Sequence, residues 1–130
     1  MSIEPAILEL AKGPNFAAFT TMLPSGYPMT HVMWVDADAE HMLMNTEIGR
    51  QKHTNAVANP KVTVTIIDKA SAYRYAEIRG EVVEMVTGPE ARTNIDELSQ
   101  KYTGSPYPAA NIKTERVLLK IRPERQRLWG

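Results

Sequence analysis

The chain has 130 residues, 43% hydrophobic and 23% charged, enough for one globular domain and too few to expect two. It holds no cysteine, which excludes disulfides, thiolate metal sites, iron–sulfur clusters and cysteine nucleophiles together. Fifteen basic residues balance fifteen acidic ones, so no net field draws the chain to nucleic acid or to an anionic membrane.

The N-terminal stretch carries Glu4 and Glu9 among its apolar residues and no basic leader, so it does not read as a secretory signal. The longest apolar runs, Phe16–Phe19 and Val32–Val35, are four residues, against about twenty for a membrane span. A cytoplasmic single domain over residues 1–130 is expected. Ile3, Ile7, Leu10 and Ala11 share one face of a predicted helix, capped by Ser2 and stopped by Gly13-Pro14. From Asn15 to Leu23 the chain is apolar and β-favouring, and Leu23-Pro24-Ser25-Gly26 is a turn with proline at its second position. Pro28–Val35 is the return strand, with Met29, His31, Met33 and Val35 on one face and Thr30, Val32 and Trp34 on the other. Asp36–Glu40 is a polar turn and His41–Thr46 a third strand. Connections this short predict an antiparallel meander.

A short helix is predicted between Glu47 and Ala58, ended by Asn59-Pro60. Val62–Asp68 alternates as a strand, and a long strand runs from Tyr73 to about Val86 with Gly80 at a bulge or close approach. Thr87-Gly88-Pro89-Glu90 predicts a capping box and first-turn proline for a helix with the stripe Ala91, Ile95, Leu98 and Tyr102. Thr103–Lys113 is a loop, Thr114–Arg122 the last strand, and Pro123 begins a tail that ends in Leu128-Trp129. The fold class is mainly β with α: a six-stranded antiparallel barrel decorated by about three helices, since an open sheet would leave two edges to protect.

The chemistry-bearing residues concentrate in Asn45-Thr46-Glu47-Ile48-Gly49-Arg50-Gln51-Lys52-His53-Thr54-Asn55, which joins a strand to a helix. Cations crowd a helix start that normally prefers acids, an arrangement that an anion would reverse. Residues two apart diverge on a helix interior, so Arg50 and Lys52 converge only if the helix begins near Gly49. If Thr46 is the cap, the cluster is a solvated face. His31 is either a core histidine or a ligand-facing donor, and the three histidines show no metal-binding spacing. Tyr73-Arg74-Tyr75 is either an exposed edge or a rim that stacks on a flat polar ring. Arg116, Lys120 and Arg122 fall on one face of the last strand and read as a solvated outer surface, while Asp36 and Asp38 read as turn supports. The glycines stand too far apart for a dinucleotide fingerprint or a P-loop, the nearest pair being Gly80 and Gly88.

Several motifs in order carry a resemblance over nearly the whole chain. They are Phe16-Ala17-Ala18-Phe19-Thr20-Thr21 with Ser25-Gly26-Tyr27-Pro28, then His31-Val32-Met33-Trp34-Val35. Asn45-Thr46, Gly49-Arg50, Lys52, Asn55 and Asn59-Pro60-Lys61-Val62 follow, then Tyr73-Arg74-Tyr75 with Ile78-Arg79-Gly80. Arg116-Val117-Leu118-Leu119 and Ile121-Arg122-Pro123 complete the set. The chain resembles the pyridoxamine 5'-phosphate oxidase-like, FMN-binding split-barrel superfamily, and more closely its branch of deazaflavin (coenzyme F-420)-dependent oxidoreductases. The resemblance implies a split barrel and a homodimer with two flavin-type sites at the interface. It implies that Arg50 and Lys52, helped by Thr46, hold the cofactor phosphate, with Asn45 and Gln51 beside them. The ring would lie along Thr30, His31, Val32 and Met33, and Tyr73, Arg74 and Tyr75 would reach it from the other subunit. Reduced F-420 would give hydride to an electron-poor, conjugated small molecule. FMN is the alternative cofactor, and a non-catalytic carrier the alternative role. Oxidation of pyridoxamine phosphate itself is not expected, because the chain stops soon after the last strand. No catalytic side chain and no metal site is assigned.

Overall fold

The computed structural model describes all residues, 1–130. The chain runs through α1 (Pro5–Lys12), β1 (Phe16–Met22), β2 (Pro28–Met33), β3 (Asp36–Ala37), β4 (Met42–Glu47) and α2 (Gln51–Ala58). It continues with β5 (Lys61–Ile67), β6 (Tyr75–Val86), α3 (Pro89–Thr103), a 3-10 turn at Ala109–Asn111 and β7 (Arg116–Trp129). The expected six strands are seven, because Asp36–Ala37 pairs with β4 where the sequence suggests a polar turn. Asp36 is buried there and meets Lys12 at 2.8 Å, while Asp38 does support the turn by accepting from the Glu40 and His41 amides.

The helices bury the predicted faces and differ at their starts. α1 buries Ile7, Leu10 and Ala11, and Gly13 ends it with its N–H on the Glu9 carbonyl. Ser2 does not cap it. The cap position is Glu4, which makes no side-chain capping bond, and the fixed φ of Pro5 starts the first turn instead. At α3 the cap position is Gly88 at φ 74°, so Thr87 stands one residue too early and no capping box forms. Pro89 does occupy the first turn.

The sheet order is β2-β1-β5-β6-β7-β4-β3, antiparallel at every pairing. The predicted meander is therefore not formed: β1 and β2 make the expected hairpin, but β4 pairs with β7 and β3. β2 and β3 sit at opposite edges of the sheet, yet only Trp34 and Val35 join them. Laid flat at the usual strand spacing, seven strands would hold those edges about 29 Å apart. The link from Met33 to Asp36 reaches at most about 11 Å. The sheet must therefore curl until its edges meet at this corner. It closes without a β2–β3 ladder, which makes it a split barrel.

Alternate residues fill the interior, among them Phe19, Val64, Ile66, Ile78, Met42, Met44, Leu119 and Ile121. β6 shifts register against β7 at Gly80, where a Cβ would come within 2.2 Å of the Arg122 carbonyl. Only glycine fits that approach. Pro123 sits opposite, at the irregularity, where its missing N–H costs no ladder bond. The chain beyond Arg122 is thus not a tail, and β7 continues along β6 to Trp129.

Candidate functional site

A cavity of about 320 Å³ opens at the split, between the end of β2 and the elements β4, α2 and α3. One end is charged and polar, with Asn45, Thr46, Arg50, Lys52 and Arg116. The rest of the lining is apolar, Phe16, Val32, Met33, Trp34, Ile95 and Leu98, with the Tyr107 ring 5.2 Å from the Arg116 guanidinium. Trp34 stacks on Tyr102 at 5.2 Å between centroids and meets Tyr107 edge-on at 6.4 Å. β2 pairs only with β1, so the backbone N–H and C=O groups along its free edge are available to a planar polar partner.

The charged end is built by one turn. After β4, Gly49 takes φ 91°, a left-handed conformation that a side chain would strain. α2 then begins at Gln51 with Arg50 in the cap position. The helix thus starts after Gly49 and not at Thr46, and Arg50 and Lys52 reach the same cavity. Arg116 joins them from β7. It is 8% exposed, donates from Nε to Asn45 Oδ1 at 2.8 Å and lies 3.4 Å from Glu47 Oε2. Arg50 donates to the same Oε2 at 3.1 Å. Glu47 Oε1 accepts from the Lys113 and Thr114 amides and the Thr114 hydroxyl. Asn45 in turn donates to Asn94 and the Ala91 carbonyl, which ties the cluster to α3.

Burial pushes the Glu47 carboxyl up, but the bonds from Thr114 and Lys113 and the charge of Arg50 outweigh it and hold it below its ordinary value. Lys52 has no such partner. It is 9% exposed, and burial pushes its ammonium down, with Arg50 and Arg116 adding to the shift. Two cations thus share one carboxylate, and a third stands beside them unpaired. Beside them Thr46 Oγ1 is the one buried side-chain polar atom without a hydrogen-bond partner. Buried positive charge left without compensation is costly. An anion bearing several acceptor oxygens would satisfy the Arg fork, the ammonium and the hydroxyl together.

Of the sequence-predicted residues, Val32, Met33, Asn45, Thr46, Arg50 and Lys52 line this cavity. Gln51 does not: its amide bonds Asn55 and Thr54 along α2. Thr30 is tied to Thr20, and His31 is exposed, so the core-histidine alternative does not hold. Tyr73, Arg74 and Tyr75 lie away from the cavity of their own chain. Arg74 bonds the Gly130 carbonyl and pairs with Asp68, Tyr75 stacks on Trp129 at 4.8 Å, and Tyr73 is 90% exposed. Arg116 corrects the sequence reading, which places it on a solvated surface. α3 covers the start of β7, and the run Arg116–Leu119 is buried on both faces. The only signal available was that it adjoins three consecutive apolar residues, Val117-Leu118-Leu119. Trp34, Ile95, Leu98 and Tyr107 carried no chemical signal at all.

No curated protein matches the sequence. Among solved structures, an F-420 reductase is 30% identical, with a TM-score of 0.83 over 96% of this chain and 98% of its own. The conserved hypothetical protein Rv2991 of Mycobacterium tuberculosis is 24% identical, at a TM-score of 0.79 over 98% of this chain and 85% of its own. General Stress Protein 26 of Bacillus anthracis is 17% identical, at a TM-score of 0.68 over 95% and 90%. The last two share the fold. No helix of this chain is long and apolar enough to cross a membrane. The pyridoxamine 5'-phosphate oxidase family profile matches residues 3–130, and with the split barrel in place the chain belongs to that family.

Proposed function

We propose that this protein is an oxidoreductase that binds coenzyme F-420, the 8-hydroxy-5-deazaflavin, and reduces an electron-poor, conjugated small molecule. The carrying observation is the charged end of the cavity: Arg50 and Arg116 on a single carboxylate, with Lys52 unpaired and the Thr46 hydroxyl unpartnered beside them. These residues fit a ring-plus-phosphate cofactor. The phosphate takes the cations and the hydroxyl, and the ring lies on the free edge of β2 against Val32, Met33 and Trp34. The 30% identity with an F-420 reductase favours the deazaflavin over FMN. When bound, the reduced deazaflavin supplies a hydride, so the redox chemistry is the cofactor's. The chain's own side chains grip the phosphate, orient the ring, and with Trp34, Ile95 and Leu98 keep water from one side of it.

The test is to titrate the protein with F-420 and with FMN while following cofactor fluorescence, then to offer bound reduced F-420 a panel of quinones, enones and tetrapyrroles. F-420 binding and acceptor-dependent oxidation are expected. Tight FMN binding without F-420 binding would replace this reading with an FMN-dependent reductase or FMN-binding flavoprotein. F-420 that binds and is reoxidised by nothing in the panel would make the protein a carrier.

The site is proposed to be completed by a second copy of the chain. Phe16, Ile67, Tyr75 and Trp129 are register neighbours across β1, β5, β6 and β7, an apolar row on the outer face of the sheet. Phe16 and Ile67 are 44% and 40% exposed, and Val32 is 73% exposed at the sheet edge. A small protein gains by covering such a row. Within Tyr73-Arg74-Tyr75, only Tyr73 has no partner in its own chain, so it is the residue that extends to the cofactor of the other subunit. A sedimentation mass of 14.6 kDa at micromolar concentration would overturn the dimer.

A further inference from the structure

The corner where the two sheet edges meet is held by α3 and not by the sheet. Val35 is fully buried, so both of its backbone polar groups need partners inside the protein. Neither finds one in a ladder. Its N–H donates to the Tyr102 hydroxyl at 3.2 Å, and its carbonyl accepts from Lys101 Nζ at 2.5 Å. The same two side chains reach further. Lys101 also donates to the Ala11 carbonyl at 2.9 Å, at the end of α1, and the Tyr102 hydroxyl bonds the Asn15 carbonyl at the start of β1. The ammonium lies 4.9 Å from the Tyr102 ring centroid, and that ring stacks within 4° of parallel on Trp34. The last turn of α3 thus gathers α1, β1 and the β2–β3 link into one node, and Trp34 is the member of that node that faces the cavity.

We propose that Lys101 and Tyr102 are positioning residues of the cofactor site: they fix Trp34 as the wall against which the bound ring lies. The part concerning the ring rests on the functional reading above. The part concerning Trp34 does not. A two-residue link with no ladder bonds has no sheet to set the direction of Trp34, and a wall free to swing would have to be ordered on each binding event. Lys101 does not touch the cavity, so its effect on binding must travel through Val35 and Tyr102 to Trp34.

Trp34 and Trp129 are the two tryptophans of the chain, so Trp129→Phe leaves Trp34 as the sole reporter while keeping an aromatic ring against Tyr75. In that background, acrylamide quenching of Trp34 and the affinity for F-420 are measured for Lys101→Met, Tyr102→Phe and Lys101→Arg. Ile78→Val, a core change remote from the node, is the comparison for simple loss of stability. Lys101→Met and Tyr102→Phe are expected to make Trp34 more accessible to acrylamide and to weaken F-420 binding by up to about tenfold, the scale of one lost hydrogen bond. Lys101→Arg should restore both to within about twofold of the parent, since a guanidinium can also donate to two carbonyls. Should Lys101→Met fail to fold, Tyr102→Phe and Lys101→Arg carry the same comparison. Variants that lower the melting temperature like Ile78→Val and leave Trp34 quenching and affinity at parent values would overturn the proposal. If the parent binds neither F-420 nor FMN, the cofactor reading falls, and Trp34 quenching alone decides whether the pair positions the wall.

Discussion

Two regions of the molecule are rich in arginine, and they behave differently. On the outer face of β6 and β7, Arg79 pairs with Glu77 at 3.0 Å, Arg122 with Glu81 at 3.2 Å, and Arg127 lies over Trp129 at 5.2 Å. Each has a partner at hand and stands in solvent, where such pairs contribute little and the charge is screened. At the cavity, Glu47 is the one carboxylate that pairs with Arg50 and Arg116, Lys52 pairs with none, and two of the three cations are buried. The same residue types are decoration in one place and the proposed binding site in the other. Local imbalance of charge under burial, and not basic composition, separates them.

The sharpest way to break that contrast is to remove the one carboxylate. Glu47→Ala leaves Arg116 buried without its ion pair and strips the Lys113 and Thr114 amides of their acceptor. A loss of about 3–5 kcal/mol in unfolding free energy is expected in urea denaturation, as for other broken buried pairs. The same group sets an acid limit. Its folded pKa lies below the ordinary value, so its contribution is fully present above the unfolded pKa and is lost as pH falls through the folded one. Wild type should therefore lose stability on acidification more steeply than Glu47→Gln, whose side chain does not titrate. Equal slopes would show that the carboxylate is not specially stabilised.

Lys52→Met tests the site itself. Removing the ammonium while keeping the buried stem is expected to weaken cofactor binding by about ten- to a hundredfold, or roughly 1.5–3 kcal/mol. The melting temperature without ligand should hold or rise, because burial and the neighbouring Arg50 and Arg116 disfavour the charge it removes and no carboxylate pairs with it. Unchanged affinity would show that Lys52 does not hold the cofactor. The smallest effect is expected on the other side of the contrast. Arg122→Met removes an exposed pair and should change stability by no more than about 0.5 kcal/mol and leave cofactor affinity as it is.

Much of the local structure was legible in the residues. The period-two stretches became strands, and the glycine expected at a bulge is the one whose Cβ would strike the Arg122 carbonyl. The cationic turn after β4 was visible as chemistry, and its ambiguity came down to where one helix begins. Arg116 was not legible, because alternation tells which residues share a face but not which face a distant helix will cover. The meander failed for a related reason. Short connections normally join neighbours, but Trp34 and Val35 join strands that neighbour each other only because the sheet curls back on itself.

By itself, then, the sequence determined the kinds of element, the crowding of cations after β4 and the family, since these depend on residues close together in the chain or on motifs in order. Tertiary structure decided that β4 pairs with β7, that Arg116 turns from a surface charge into a buried one, and that both polar groups of Val35 are held by the end of α3. The physical reason is that burial and pairing belong to the closed barrel as a whole. A charge or a backbone amide has no fixed cost until the sheet has curled and shown which of them lose their water.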